Sequence, residues 1–141
     1  MKLRQLSVFL ENRPGQVKVP CKALADAGIN ILAMSLADTE QFGILRLIVK
    51  EVQKAKGVLT TAGCVVKETE ILAVEVEDRP GGLLRLLDVF ETADMTIEYM
   101  YAFNANRPGA RATLAFRFDD PDAAIKALQT AHINAVADIE L

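Results

Sequence analysis

Two short segments of this 141-residue chain, Leu10-Glu11-Asn12-Arg13-Pro14-Gly15 and Val76-Glu77-Asp78-Arg79-Pro80-Gly81, carry nearly the same residues 66 positions apart. That spacing is close to half the chain. The neighbourhoods repeat as well: Leu6, Val8 and Leu10 answer to Leu72, Val74 and Val76, and Val17, Cys21 and Leu24 answer to Leu83, Leu87 and Phe90. A repeat of this length is a small domain in its own right, and the chain divides into residues 1–69 and 70–141. Units of about 70 residues have marginal cores and are stabilised by packing against each other or a partner, so the meeting place of the copies is the expected site of function.

Periodicity assigns the elements, and each copy checks the other. Leu6, Val8 and Leu10 alternate with polar residues, a strand with one apolar face. After Pro14-Gly15, Val17, Cys21 and Leu24 follow at helical spacing, with Leu83, Leu87 and Phe90 in the second copy. Gly28 and Asp94 mark the helix ends, where a left-handed residue is needed. Pro20 implies that the first helix either starts late or is kinked. Second strands are expected over residues 29–37 and 95–103, and third strands over 44–50 and 113–118. The second hairpin is three residues longer, in the turn-forming stretch 104–111. Second helices bury Ala55, Leu59 and Ala62, and Ala124, Leu128 and Ala131; Asp120-Pro121-Asp122 reads as N-cap, first helical position and acidic first turn. Fourth strands over 64–68 and 134–139 complete two ferredoxin-like βαββαβ units, an α+β fold with antiparallel sheets and helices on one face.

The other sheet face informs assembly. With Ile29, Ile31 and Ala33 turned to the helices, Leu32, Met34 and Leu36 join Phe9, Ile44 and Ile48 in an apolar patch, whereas the second copy carries Glu75, Glu77, Glu98 and Arg117 there. Such a patch is expected to be covered by the other repeat or a second chain, which favours a homodimer built through the first repeat. Tyr99 and Tyr101 share one strand face and are expected in the core.

Composition closes off several functions. A net charge of −3, with no basic cluster interleaved with aromatics, gives no nucleic-acid footprint. No apolar stretch reads as a secretion signal or membrane span, so a cytoplasmic location is expected. Cys21 and Cys64 match Leu87 and Ile133 and are expected to act as small buried hydrophobes. The single histidine, His132, matches Gly63 and has no His or Cys cluster near it, so no metal, cofactor or catalytic constellation is expected.

A βαββαβ unit whose first strand ends in Asn/Asp-Arg-Pro-Gly and whose first helix closes on Ala-Gly-Ile-Asn-Ile resembles the ACT domain, the small regulatory module of amino-acid metabolism. Residues 12–17 and 27–31 carry that pattern in the first copy; residues 78–83 and the weaker Ala93-Asp94-Met95-Thr96-Ile97 carry it in the second. The resemblance is greatest to stand-alone tandem ACT proteins. It implies a non-enzymatic sensor that binds a small amino acid where paired units meet. The alternatives are a regulatory subunit of a metabolic enzyme such as acetolactate synthase, or a ligand-free oligomerisation module.

The candidate ligand residues are those of the two Pro-Gly corners and the strand starts behind them. In the first copy these are Asn12, Arg13, Pro14, Gly15, Gln16 and Val17, with Asn30, Ile31 and Ser35. In the second they are Asp78, Arg79, Gly81, Gly82 and Leu83, with Thr96. Unpaired N–H groups at a helix start attract a carboxylate, and glycine permits close approach. Asn12 is compatible with a carboxylate, while the fixed charge of Asp78 repels one and attracts an ammonium. Unequal sites are therefore expected, with Asn12 and Asp78 as simple helix caps the competing reading.

Overall fold

The computed structural model describes residues 2–103 and 111–133. They form β1 (Lys2–Glu11), α1 (Lys18–Asp26), β2 (Ile31–Thr39), β3 (Phe42–Val49), α2 (Val52–Thr61), β4 (Val65–Glu77), α3 (Gly82–Thr92), β5 (Tyr99–Phe103), β6 (Arg111–Arg117) and α4 (Pro121–Thr130). The chain divides into two compact units, one of Arg4–Thr69 and one from Glu70 onward. Lys2 and Leu3 go with the latter, where Lys2 bridges Glu70 at 3.6 Å and Asp122 at 2.8 Å. The expected fourth strand of the second copy, over 134–139, and most of the long hairpin loop, over 104–110, lie outside the described residues. The fourth strand of the first copy and the first strand of the second are one element: no glycine or proline interrupts the alternating run from Val65 to Glu77, so β4 continues for 13 residues.

In the first unit the strands are ordered β2-β3-β1 with β4 beside β1. Leu6, Val8 and Leu10 lie opposite Leu47, Leu45 and Gly43. They pack with Leu24, Ile29, Ala55 and Leu59 into one core. In the second unit the order is β4-β6-β5, and Leu72, Val74, Phe116 and Leu114 pack under Leu86, Phe90, Ala124 and Leu128. Phe90 meets Phe116 and Phe118 edge-on, with centroids 5.3 and 4.8 Å away. α4 begins as its sequence requires: Asp120 caps it by accepting from the Ala123 N–H at 3.1 Å, with Pro121 at the first helical position.

Four details depart from the periodicity argument. Of the two outcomes that Pro20 allowed, the first helix starts late, at Lys18, so Pro20 falls in its first turn, where its missing N–H costs little. The buried stripe is shifted by one residue in both copies: Pro20 and Leu24, and Leu86 and Phe90, point inward, while Leu87 flanks the core, Cys21 is half-buried and Leu83 is 36% exposed. Second, β2 carries a bulge. Ile31 lies opposite Val49 but Ala33 opposite Ile48, leaving Leu32 as the extra residue. The one-residue slip reverses the faces beyond it, so Met34 and Leu36 sit opposite Leu47 and Leu45 on the helix side, 47% and 54% exposed. Ala33 and Ile48, on the opposite face, are buried, which divides the expected apolar patch.

Third, Met100 pairs with Phe116 and packs on the core, which turns Tyr99 and Tyr101 to the other face, half-buried. Fourth, Ala62 ends α2 in an exposed position rather than filling the core. Gly28, Gly63, Asp94 and His132 all follow helices with left-handed φ between 55° and 86°. Cys21 and Cys64 are free and half-buried, and burial raises the Cys64 thiol above its ordinary pKa.

Candidate functional site

The two Pro-Gly corners are built alike. Each leaves its strand through an arginine whose N–H donates to the carbonyl two residues back, Arg13 to Glu11 and Arg79 to Glu77, both at 2.9 Å. Each arginine side chain pairs with that same glutamate, Arg13 with Glu11 at 2.6 Å and Arg79 with Glu77. The next turn closes by Gln16 N–H to the Arg13 carbonyl at 3.3 Å and by Gly82 N–H to the Arg79 carbonyl at 3.0 Å. Gly15 and Gly81 take φ of 83° and 86°, a conformation that glycine adopts without strain.

Neither Asn12 nor Asp78 caps a helix, because the turn separates them from it and the N-caps are Val17 and Gly81. Instead the Asn12 amide donates to Asp38 and to the Glu40 carbonyl, both at 3.2 Å, tying the corner to the β2–β3 hairpin.

The corners differ where the helices start. In α3 the Arg85 N–H reaches the Gly81 carbonyl at 3.1 Å, so the helix opens right at the corner. In α1 the residue matching Leu86 is Pro20, which has no N–H to donate, so the helix opens two positions later relative to the repeat and Gln16 and Val17 remain in the turn. Gly82 is confined: a Cβ there would lie 2.1 Å from the Glu77 carbonyl oxygen, whereas Gly81 and Gly15 have open space.

The remaining candidates do not join these corners within their units. Asn30 is exposed just before β2, whereas Asn12 bonds the far end of that strand, roughly 25 Å away over eight residues. Ile31 and Val17 pack against the first core, and Ser35 lies opposite Arg46 on the face away from it. Pro14 is exposed, and Thr96 is exposed ahead of β5.

A cavity of 290 Å³ lies at the second corner. Its apolar lining is Val76, Leu86 and Ile133, and residues 79–82 form one wall. Arg85 enters from the first turn of α3, Arg111 from the start of β6 and His132 from the turn after α4; Glu75 and Glu77 enter from β4. Arg111 pairs with Glu75 at 3.2 Å and Arg79 with Glu77, whereas Arg85 makes no ion pair among the described residues. The cavity thus brings the positive end of a helix, cations and carboxylates together, a set of groups suited to a ligand bearing both charges. Among the described residues no three His, Cys, Asp or Glu side chains converge as a metal site, and no helix is long and apolar enough to cross a membrane.

Sequence reasoning passed over Glu75, Arg85, Arg111 and His132 as ligand groups. The signal was present in the repeat itself: these positions match Phe9, Val19, Phe42 and Gly63 of the first copy, so each is a polar departure from its twin.

Such a pair of βαββαβ units with Pro-Gly corners defines a class of small regulatory domains. The ACT domain pair family matches residues 1–141, and the chain belongs to that family. Among solved structures, protein BT0572 from Bacteroides thetaiotaomicron is similar at 32% identity with a TM-score of 0.89, covering 100% of this chain and 98% of that one. The ligand-free regulatory subunit of aspartate kinase from Thermus thermophilus is similar in fold, at 16% identity and a TM-score of 0.62 over 91% of each chain. That of Thermus flavus gives 17% and 0.58 over 92% of each. No curated protein matches the chain.

Proposed function

We propose that this protein is a non-enzymatic regulator that binds a free amino acid in the cavity at the corner formed by residues 78–83. The observation that carries the reading is the convergence of the first turn of α3, Arg85 and two β4 carboxylates on one recess. An α-carboxylate is matched by the helix start, and an α-ammonium by Glu77 or Glu75. The apolar lining of Val76, Leu86 and Ile133 is suited to the ligand's carbon chain. The first corner, with its helix start withdrawn by Pro20 and its Asn12 amide engaged with Asp38 and Glu40, serves as a structural joint. Bound ligand regulates a partner to the extent that it prefers one conformation of the protein over another.

A thermal-shift screen against the twenty amino acids tests this. A ligand at a hundred times its Kd raises stability by about 2.7 kcal/mol, which is a readily measured rise in Tm. At least one amino acid is expected to give such a rise, and Gly81→Asp is expected to remove it while Gly81→Asn, which tolerates the same backbone without the charge, retains most of it. Silence across the panel at millimolar concentration, or an equal response in Gly81→Asp, would overturn the assignment.

A further inference from the structure

The basic residues of the second corner have no counterparts in the first apart from Arg79, whose twin is Arg13. Arg85 stands where the first copy has Val19, Arg111 where it has Phe42, and His132 where it has Gly63. All three line the one cavity. A substitution pattern scattered over α3, β6 and the turn after α4 thus meets at a single point in space.

His132 is the most telling of them. It keeps the left-handed backbone of its glycine twin, with φ of 55° against 86° for Gly63. Asp94 takes the same φ of 55° after α3, so the conformation itself is the ordinary left-handed helix stop. What sets His132 apart is that it lines the cavity together with Arg85.

Among the described residues the charges leave a remainder. There the lining holds Arg79, Arg85 and Arg111 against Glu75 and Glu77. Two of the arginines are matched by the two glutamates, and Arg85 is left as the cation beside the open end of α3. A neutral zwitterion gives and takes one charge of each sign and leaves that remainder in place. A zwitterion with one further carboxylate cancels it.

We infer that the occupant of this cavity is an amino acid with an acidic side chain, whose second carboxylate is received by Arg85 and His132. The inference rests on the amino-acid reading of the cavity and adds the class of side chain. A site that meets a charged group prefers it to the amide isostere, which offers the guanidinium a weaker partner.

Isothermal titration calorimetry on the full chain tests it with L-aspartate, L-glutamate, L-asparagine, L-glutamine, L-lysine and succinate. One of the two acids is expected to bind at least about tenfold more tightly than its own amide, than lysine and than succinate. Arg85→Gln is expected to lower acid affinity at least about tenfold and amide affinity by less, so that the gap between the acid and its amide closes. Arg85 is exposed at the surface end of α3, so this variant keeps the fold. His132→Gly, which restores the first copy's residue, is expected to raise Tm in the absence of ligand and to weaken acid binding, opposite effects that loss of folding does not give.

An amide or lysine binding as tightly as the acids, or acid affinity unchanged in Arg85→Gln, would overturn the acidic class and leave the amino-acid site standing. Succinate matching aspartate would show that the ammonium is not read and overturn it as well. Absence of binding by any amino acid would instead remove the functional reading beneath it.

Discussion

Gly82→Ala puts the geometry of the second corner to a quantitative test. The added Cβ would sit 2.1 Å from the Glu77 carbonyl oxygen, more than an ångström inside the 3.4 Å at which ordinary contact begins. The oxygen is backbone and the Cβ position is fixed by backbone, so no rotamer change relieves the overlap and the corner itself must open. Overpacking of this kind costs about 1–3 kcal/mol. Helix propensity acts the other way, favouring alanine by up to about 1 kcal/mol in a helix interior and by less at this first helical position. A net loss of about 2 kcal/mol follows, which in a unit of about 70 residues lowers Tm by roughly 10 °C.

Gly81→Ala is the internal control. Its φ of 86° strains alanine but its Cβ meets nothing within 4 Å, so the expected loss is about 1 kcal/mol. Thermal and urea unfolding followed by circular dichroism measure both variants against wild type. Gly82→Ala as stable as wild type, or less damaging than Gly81→Ala, would refute the confinement of Gly82.

Two further outcomes are expected. Asp120→Ala loses the side-chain bond to the Ala123 N–H and should cost about 1 kcal/mol in urea unfolding, with Asp120→Asn nearly neutral; an unchanged midpoint in the alanine variant would contradict the cap. The Glu68 carboxyl, 12% exposed, is held below its ordinary pKa chiefly by a hydrogen bond from Arg4 at 2.8 Å, helped by Gln53 and Lys56 against the opposing effect of desolvation. A carboxylate depressed in the folded state contributes stability above its unfolded value near 4.5, and that contribution is lost as pH falls through the lower folded value. The Tm gap between wild type and Glu68→Gln should therefore be open near neutral pH and close in acid; parallel Tm curves over the whole range would refute the assignment.

The fold was legible because local signals and the repeat agreed. The alternation of Leu6, Val8 and Leu10, the Asp120-Pro121-Asp122 start and the left-handed stops at Gly28 and Asp94 each state a backbone requirement in residue chemistry. The face of Met34 and Leu36 was not legible, because Ile31, Leu32, Ala33 and Met34 are all apolar and an inserted residue leaves no mark in such a run. The helix stripe was ambiguous for a similar reason: Cys21 and Pro20 both lie within one turn of Leu24, as Leu87 and Leu86 do of Phe90, and spacing alone does not decide between them.

The corners themselves could be found from their Pro-Gly turns. The cavity could not, because its cations come from three separated elements and His132 looked isolated beside no other histidine or cysteine. Aligning the two copies for their differences, rather than their likeness, is the operation that exposes Arg85, Arg111 and His132 together.

The claim that the second corner is the ligand site is tested most directly by protein labelled with isotope only at glycine, whose eight residues sample both corners. On titration with L-aspartate and L-glutamate, the amide resonances of Gly81 and Gly82 are expected to move in a saturable way while those of Gly15, Gly28 and Gly63 stay in place. Movement centred on Gly15 with Gly81 and Gly82 unmoved would contradict the account.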